Sequence, residues 1–425
     1  MAATSAPNLD LRPAAPQGRV IAVDIAAAKA LSIARPVRET EHVPLFAARG
    51  RVLARAIRAP GCLPVFDNSA MDGYALRLAD LAGDGPWELE IGGRLAAGDG
   101  PAATQLAPGT CLRIFTGAPV PSDCDAVVMQ ERCVRDGNRI VLRARPRHGE
   151  NIRRSGEDVR QGQSVLQPGD VLRPLGLALL AGLGLSEVEV LRKVRIGLVS
   201  TGTELRNPGE PLAPGQIYNS NRVLLGAMLA ALGWAAVIDF GIVADRPGDL
   251  ATVFGEAARC CDVVISTGGA SAGDEDHVVT ALDQAGGVLD VVKVAMRPGK
   301  PLKIGRLGDV LFAGLPGNPN ATLVTFQQIA LPAIRRLAGL RVAGLPWMSA
   351  VSGFDYAKPA GRTEFVPVRE TGRDHHGRPV LEMLSRGSSA NLSALALADG
   401  VALLPPDAEL IAPGDLLSFQ SLGDG

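Results

Sequence analysis

Residues 265–277 read ISTGGASAGDEDH, and inside them Gly269-Ala270-Ser271-Ala272-Gly273 matches G-x-S-x-G. That pattern presents a serine nucleophile on a sharp strand-to-helix turn. Such a serine needs a histidine within reach and an acid to orient it. The chain has five histidines. His42 and His148 lie upstream, His277 opens the next helix, and His375 and His376 fall in a predicted hairpin turn. Asp274, Glu275 and Asp276 would also repel an oxyanion. The run therefore reads as a ligand loop. Gly268, Gly269 and Gly273 let the backbone approach a ligand, and Ser271 serves as a hydrogen-bond donor.

Other acids share that neighbourhood. Glu204 and Asp245 follow predicted strands, as Asp274 and Asp276 do, so all four gather on one sheet edge. Converging carboxylates suit a hard cation, Mg²⁺ above all, held between protein and phosphate. The alternative is helix capping and dipole pairing, which suits Asp245 and Asp276 individually. Ser200-Thr201-Gly202 and Ser266-Thr267-Gly268 end two strands alike, exposing backbone N–H groups. The cations Lys293, Arg297 and Lys300 flank a Pro-Gly turn in KVAMRPGKPLKIG, an anion clamp; Lys303 fits a solvated face. GLPGNPNAT carries Pro316, Gly317, Asn318 and Pro319 into a helix N-terminus, a favourable place for an anion. FDNSAMDGYAL packs Asp67, Asn68, Ser69 and Asp72 into six residues. Arg153 and Arg154 in GENIRRSGED are either a phosphate grip or an interdomain salt-bridge cluster.

The elements that must hold these groups follow from periodicity. Residues 1–19 read as a disordered extension. Residues 20–60 and 153–193 read as one helical linker domain, with helices over IAVDIAAAKALSIA, AARGRVLARAI and LGLALLAGLG. Short apolar runs cut by Gly, Pro and Asp make 61–152 an inserted β-domain. Between 194 and 340 strands alternate with helices, which predicts a largely parallel α/β sheet. Ligands of such sheets sit outside the carboxyl ends of the strands. Residues 346–425 read as a small C-terminal β-domain.

Net charge is −1, so nothing global favours nucleic acid or an acidic membrane. The longest apolar run, at 175–185, is too short to span a bilayer. None of the six cysteines forms a C-x-x-C pair, and no signal peptide is evident. The expectation is a reduced, cytoplasmic protein. A P-loop and G-x-G-x-x-G are both absent.

In order along the chain, FDNSAMDGYA, RIFTGAPVP, AVVMQE, NIRRSGED, KVRIGLVSTGTEL, QIYNSN, DVVISTGGASAGDEDH, RPGKPLKIG and GLPGNP resemble the MoeA family of molybdopterin molybdenumtransferases, which includes the E domain of gephyrin. The resemblance spans roughly residues 20–420. It implies a multidomain α/β plus β fold: a three-layer α/β molybdopterin-binding domain, a helical linker domain, an inserted β-domain and a C-terminal β-barrel. It also implies a homodimer whose pterin cleft lies between the α/β domain of one chain and the inserted domain of the other. The implied reaction inserts molybdate into adenylylated molybdopterin, releases AMP and uses Mg²⁺. Apo-molybdoenzymes and a molybdopterin adenylyltransferase are the implied partners. The family's functional positions fall on Asp72, Thr116, Glu204, Asp245 and Asp276, on Pro316 and Pro319, and on Lys293, Arg297 and Lys300. Glu204 and Asp276 are the expected metal ligands. The sequence departs from the family at Thr203 and Asn219, which replace acids, and at Ser155, His277 and Asn320. Two rivals are an adenylyltransferase, which would not need the inserted and C-terminal domains, and a pterin-binding scaffold protein.

Overall fold

The computed structural model describes residues 20–100, 106–269, 277–341, 344–385 and 391–422. Its central sheet has six strands in the spatial order Ala235–Val243, Val194–Thr201, Val263–Thr267, Val310–Leu315, Pro301–Leu307 and Gly287–Lys293. The first four are mutually parallel. The last two add antiparallel, so the sheet is mixed.

Alternation along the strands divides the core in two. Ile196, Leu198, Val263 and Ile265 face one side, with Leu225 and Leu229 of helix Ser220–Ala230, Ala26 and Ala30 of helix Val23–Ile33, and Ile334 of helix Leu331–Leu337. Val199 and Val264 face the other, with Leu250 and Phe254 of helix Pro247–Cys260 and Val278 of helix His277–Gln284. A central strand covered on both faces must be apolar at successive positions, which is why the run IGLV at 196–199, past the exposed Arg195, shows no polar face. The result is three layers.

The N-terminal half holds a second six-stranded sheet, ordered Ala126–Met129, Gly73–Leu76, Thr110–Ile114, Trp87–Leu95, Arg139–Leu142 and Cys133–Asp136. Near the C-terminus, strands Thr363–Arg373, Pro379–Met383, Met348–Ser352, Leu416–Ser421 and Gly400–Leu404 pair in sequence, and the last returns to the first. That closes a five-stranded barrel around Val366, Val368, Leu381, Ala402 and Phe419. No helix among the described residues is long and apolar enough to cross a membrane.

One expected helix is absent. AARGRVLARAI has helical composition, but Gly50 adopts φ +74° and the chain then pairs outward. Leu53 N–H donates to Asp170 O, Leu172 N–H donates to Arg51 O, and Val52 bridges Val171. Long-range backbone pairing overrides local propensity there.

A clasp ties this linker to the sheet. Asp262 accepts from Arg192 Nη1 at 2.7 Å, Arg192 Nη2 at 2.9 Å and the Arg195 backbone N–H at 2.8 Å. Burial pushes the Asp262 carboxyl up, but these bonds outweigh it and hold it below the usual range. Asp262→Ala is expected to cost about 1.5–3 kcal/mol, because it removes the charge-assisted bonds from Arg192 and leaves that guanidinium to Glu39 and the Lys193 carbonyl. The sign of the pH dependence follows from the depressed pKa. The contribution is complete above the unfolded carboxylate value and is lost as pH falls through the folded one. Denaturant titrations of both proteins should therefore differ at neutral pH and converge in acid; equal stability at neutral pH would refute the clasp.

Candidate functional site

The chain leaves strand Val194–Thr201 to build strand Ala235–Val243 on one side, then crosses back to Val263–Thr267 on the other. Such a reversal opens a crevice at the carboxyl edge. Register sets Ser200 beside Thr267 and Thr267 beside Leu315, so the loops starting at Gly202, Gly268 and Pro316 emerge together. Ser200, Thr201, Ser266 and Thr267 are all buried beneath them.

Side chains tie these loops to one another. Thr201 Oγ1 donates to Asp245 Oδ1 at 3.1 Å, which brings the acid after the outer strand to the crevice. Asn221 Nδ2 donates to Gly317 O at 2.7 Å and to Thr267 Oγ1 at 3.3 Å. Thr322 Oγ1 donates to Pro316 O at 2.5 Å. Gly268 has φ +94°, and a Cβ there would lie 1.9 Å from Thr201 O. A Cβ on Gly317 would lie 3.6 Å from Gly268 Cα, so the two glycine loops abut. Glu204 is exposed and folds its carboxylate over Gly202, where a Cβ would meet Oε2 at 2.5 Å. Pro319 opens helix Pro319–Thr325 with Asn318 at its N-cap. Ser271, Gly273 and Asp276, with Asp274 and Glu275, lie outside the described residues.

Of the family departures, Asn219 caps helix Ser220–Ala230, its side chain accepting from Arg222 N–H at 3.1 Å. A neutral amide thus does the capping that a carboxylate would do. Ser155 N–H donates to Asp67 Oδ1 at 2.7 Å, and Arg154 pairs with Asp67 Oδ2 at 2.5 Å. The GENIRRSGED alternatives thereby separate: Arg154 belongs to an ion pair, whereas Arg153 is exposed and pairs through its backbone with Asn68.

Asp72 and Thr116 meet in the N-terminal sheet. Antiparallel pairing sets Gly73 opposite Ile114, so the residues just beyond each end converge. The Thr116 N–H and Oγ1 each donate to Asp72 Oδ1 at 2.8 Å. Those two bonds, aided by the Arg113 charge, hold the Asp72 carboxyl below its ordinary value. Thr116→Val keeps the backbone donor and removes the hydroxyl. It is expected to move the Asp72 pKa back toward the ordinary carboxylate value in a ¹³C-detected titration; an unchanged value would show that the hydroxyl does not hold the acid.

The cations behave differently from one another. Arg297 and Lys300 line a cavity of about 290 Å³ together with Pro316 and Asn318. The opposite wall comes from the barrel segment and carries Tyr356, Arg362, Glu364 and Ser385. Arg297 Nη1 lies 3.6 Å from Glu364 Oε1, and Tyr356 Oη donates to Glu364 Oε2 at 3.2 Å. Burial, reinforced by the Glu364 charge, raises the Tyr356 phenol pKa. Lys293 ends strand Gly287–Lys293 and does not line this cavity, and Lys303, expected on a solvated face, is instead buried within strand Pro301–Leu307. The sequence reading missed Arg362, Tyr356 and Glu364. Its available signal was KPAGRTEF, a second cation-bearing Pro/Gly turn.

Three family models match in succession. They are the MoeA N-terminal region (domains I and II) over residues 10–184, a probable molybdopterin binding domain over 197–336, and the MoeA C-terminal region (domain IV) over 349–422. The molybdopterin molybdenumtransferase 2 of Mycobacterium tuberculosis is 39% identical over 388 residues, covering 89% of this chain and 94% of its own. This chain belongs to the MoeA family. The Haemophilus influenzae molybdopterin molybdenumtransferase is 40% identical over 77% of this chain and 80% of its own length. The MoeA crystal structure from Pyrococcus horikoshii OT3 superposes with a TM-score of 0.80 at 26% identity, covering 95% of this chain and 100% of that one. The MoeA assignment agrees with the multidomain α/β plus β architecture and with the carboxyl-edge crevice lying inside the molybdopterin-binding match.

Proposed function

We propose that this chain inserts molybdate into adenylylated molybdopterin, releasing AMP and forming the molybdenum cofactor. The observation that carries this reading is the loop at 316–319. Gly317 abuts the glycine loop at the carboxyl edge, while Pro316 and Asn318 line the cation-bearing cavity. A pterin phosphate over the glycines and an oxyanion among Arg297, Lys300 and Arg362 would thus share one wall. Two anionic substrates repel one another in water, so fixed guanidinium and ammonium groups are what their meeting requires. Attack by the two dithiolene sulfurs on molybdenum displaces an oxo group as water, and a water molecule cleaves the pyrophosphate to release AMP, so no protein nucleophile is required.

Among the described residues no three His, Cys, Asp or Glu converge as a metal cluster. Mg²⁺ typically takes only one or two carboxylates and completes its shell with phosphate and water. Glu204, at the carboxyl edge, fits that donor set, and Glu204 with Asp276 would hold the ion. When bound, it would neutralise phosphate charge. The chain's own part is to hold Asp245, through the buried Thr201 hydroxyl, on the pyrophosphate side and to present the cations to the oxyanion.

The four-part domain division is proposed as read from the sequence, as is a homodimer. Asp72 is followed by the Thr116-anchored sheet and preceded by exposed Val65, Phe66 and Met71. A second copy covering those apolar groups would carry Asp72 toward the crevice. Apo-molybdoenzymes and an adenylyltransferase are the proposed partners. The deciding experiment follows AMP release from adenylylated molybdopterin with and without molybdate. Release that ignores molybdate would defeat the proposal, and equal rates in Asp276→Ala would remove that residue. ATP with molybdopterin and no molybdate yielding adenylylated product would favour the adenylyltransferase instead.

A further inference from the structure

At the opposite end of the α/β layer, residues 166–176 and the end of helix Leu331–Leu337 line an open cleft of about 640 Å³. We infer that this cleft is a second anion site, for a small phosphate- or carboxylate-bearing molecule with an apolar body.

Its charge is unbalanced. Arg173, Arg335 and Arg341 line it against one acid, Asp170. That acid is already committed on both oxygens. Oδ1 pairs with Arg341 Nη2 at 2.5 Å, and Oδ2 accepts from the Gln167 N–H at 2.8 Å. Arg335 is half-buried, and its Nε is sealed from solvent without a hydrogen-bond partner among the described residues. Burial and the nearby Arg173 charge both pull the Arg335 pKa down. Two like charges facing one cleft are an energetic cost that a bidentate anion would reverse.

Shape and rigidity agree. Leu166, Val171, Pro174 and Leu340 supply apolar wall, and Leu175 stands 85% exposed at the rim. The volume falls in the usual range for small-molecule sites. The walls are preformed. Gly169 N–H donates to Leu53 O at 2.8 Å, and a Cβ on Gly169 would lie 2.7 Å from Gly339 O. This is not the carboxyl-edge site. Asn318 and Arg335 sit near opposite ends of one helical stretch, roughly 25 Å apart at about 1.5 Å per residue. An anion here would brace the linker segment against the α/β layer.

The test is a crystal of the full chain soaked with 4-bromophenyl phosphate or 4-bromobenzoate, paired with calorimetric titration of phenyl phosphate and benzoate. A bromine peak between Arg173 and Arg335 is expected for at least one of them, and which one distinguishes phosphate from carboxylate. Arg335→Met and the exposed Arg173→Met should each weaken that binding at least tenfold. Arg335→Met should leave the rate of molybdenum insertion unchanged. Bromine found only at the Arg297–Lys300 cavity would overturn the inference. So would a cleft covered by a second copy, or wild-type affinity in both variants.

Discussion

Gly268→Ala is expected to abolish molybdenum insertion and to loosen the carboxyl edge of the sheet. The added Cβ would sit 1.9 Å from the Thr201 carbonyl oxygen, a backbone atom of the neighbouring strand. No side-chain rotation relieves that contact, so either the strand or the loop must shift. The φ of +94° adds strain of about 1–3 kcal/mol for any residue with a Cβ. Overpacking a tight site costs about 1–3 kcal/mol more. The displaced loop is the one Gly317 abuts, so the substrate crevice deforms with it. Hydrogen exchange should show faster opening of strand Val263–Thr267, and turnover should fall below detection. Gly226 provides the control. It lies inside helix Ser220–Ala230 with nothing within 4 Å of a new Cβ. Gly226→Ala should leave activity intact and stabilise the helix by up to about 1 kcal/mol. Wild-type turnover in Gly268→Ala would mean that no substrate approaches this backbone.

What could be read from the chain depended on the range of the interaction. Strand and helix periods from 194 to 315 are local, and the expected alternation of strands with helices is what the structure shows as far as strand Gly287–Lys293. The Ser-Thr-Gly strand ends were legible for the same reason: each is a tripeptide, and parallel pairing sets them side by side. The Asp72–Thr116 pair was not legible as a pair. Forty-four positions separate the two residues, and only antiparallel register joins them. Arg362 and Glu364 were missed because the barrel folds back onto the α/β layer, a contact with no local pattern. The segment 47–57 failed in the opposite direction. Its Ala, Arg and Leu favour a helix, but Arg51 is buried and donates to Glu41 and to Leu191 O. Pairing with residues 170–172 fixed it as extended chain instead.

Arg297→Met is expected to raise the molybdate KM by about 10- to 100-fold, with turnover largely recovered at saturating molybdate. A charge-assisted hydrogen bond to an oxyanion is worth about 1.5–3 kcal/mol, and each 1.4 kcal/mol is about tenfold. Two effects add here. The first is loss of the donor itself. The second is the fate of Glu364, which is only 4% exposed and has Arg297 at 3.6 Å. Without the guanidinium, that carboxylate keeps the Tyr356 hydroxyl bond but loses its paired cation, and it repels an incoming dianion that Lys300 and Arg362 must still attract. Glu364→Gln added to Arg297→Met should therefore restore part of the loss, and the size of the recovery measures the repulsion. Arg297→Lys should fall between, because an ammonium keeps the charge but not the two-pronged geometry. A KM unchanged in Arg297→Met would place the oxyanion elsewhere. A fall in turnover at saturation, with KM constant, would instead give Arg297 a role in the bond-forming step.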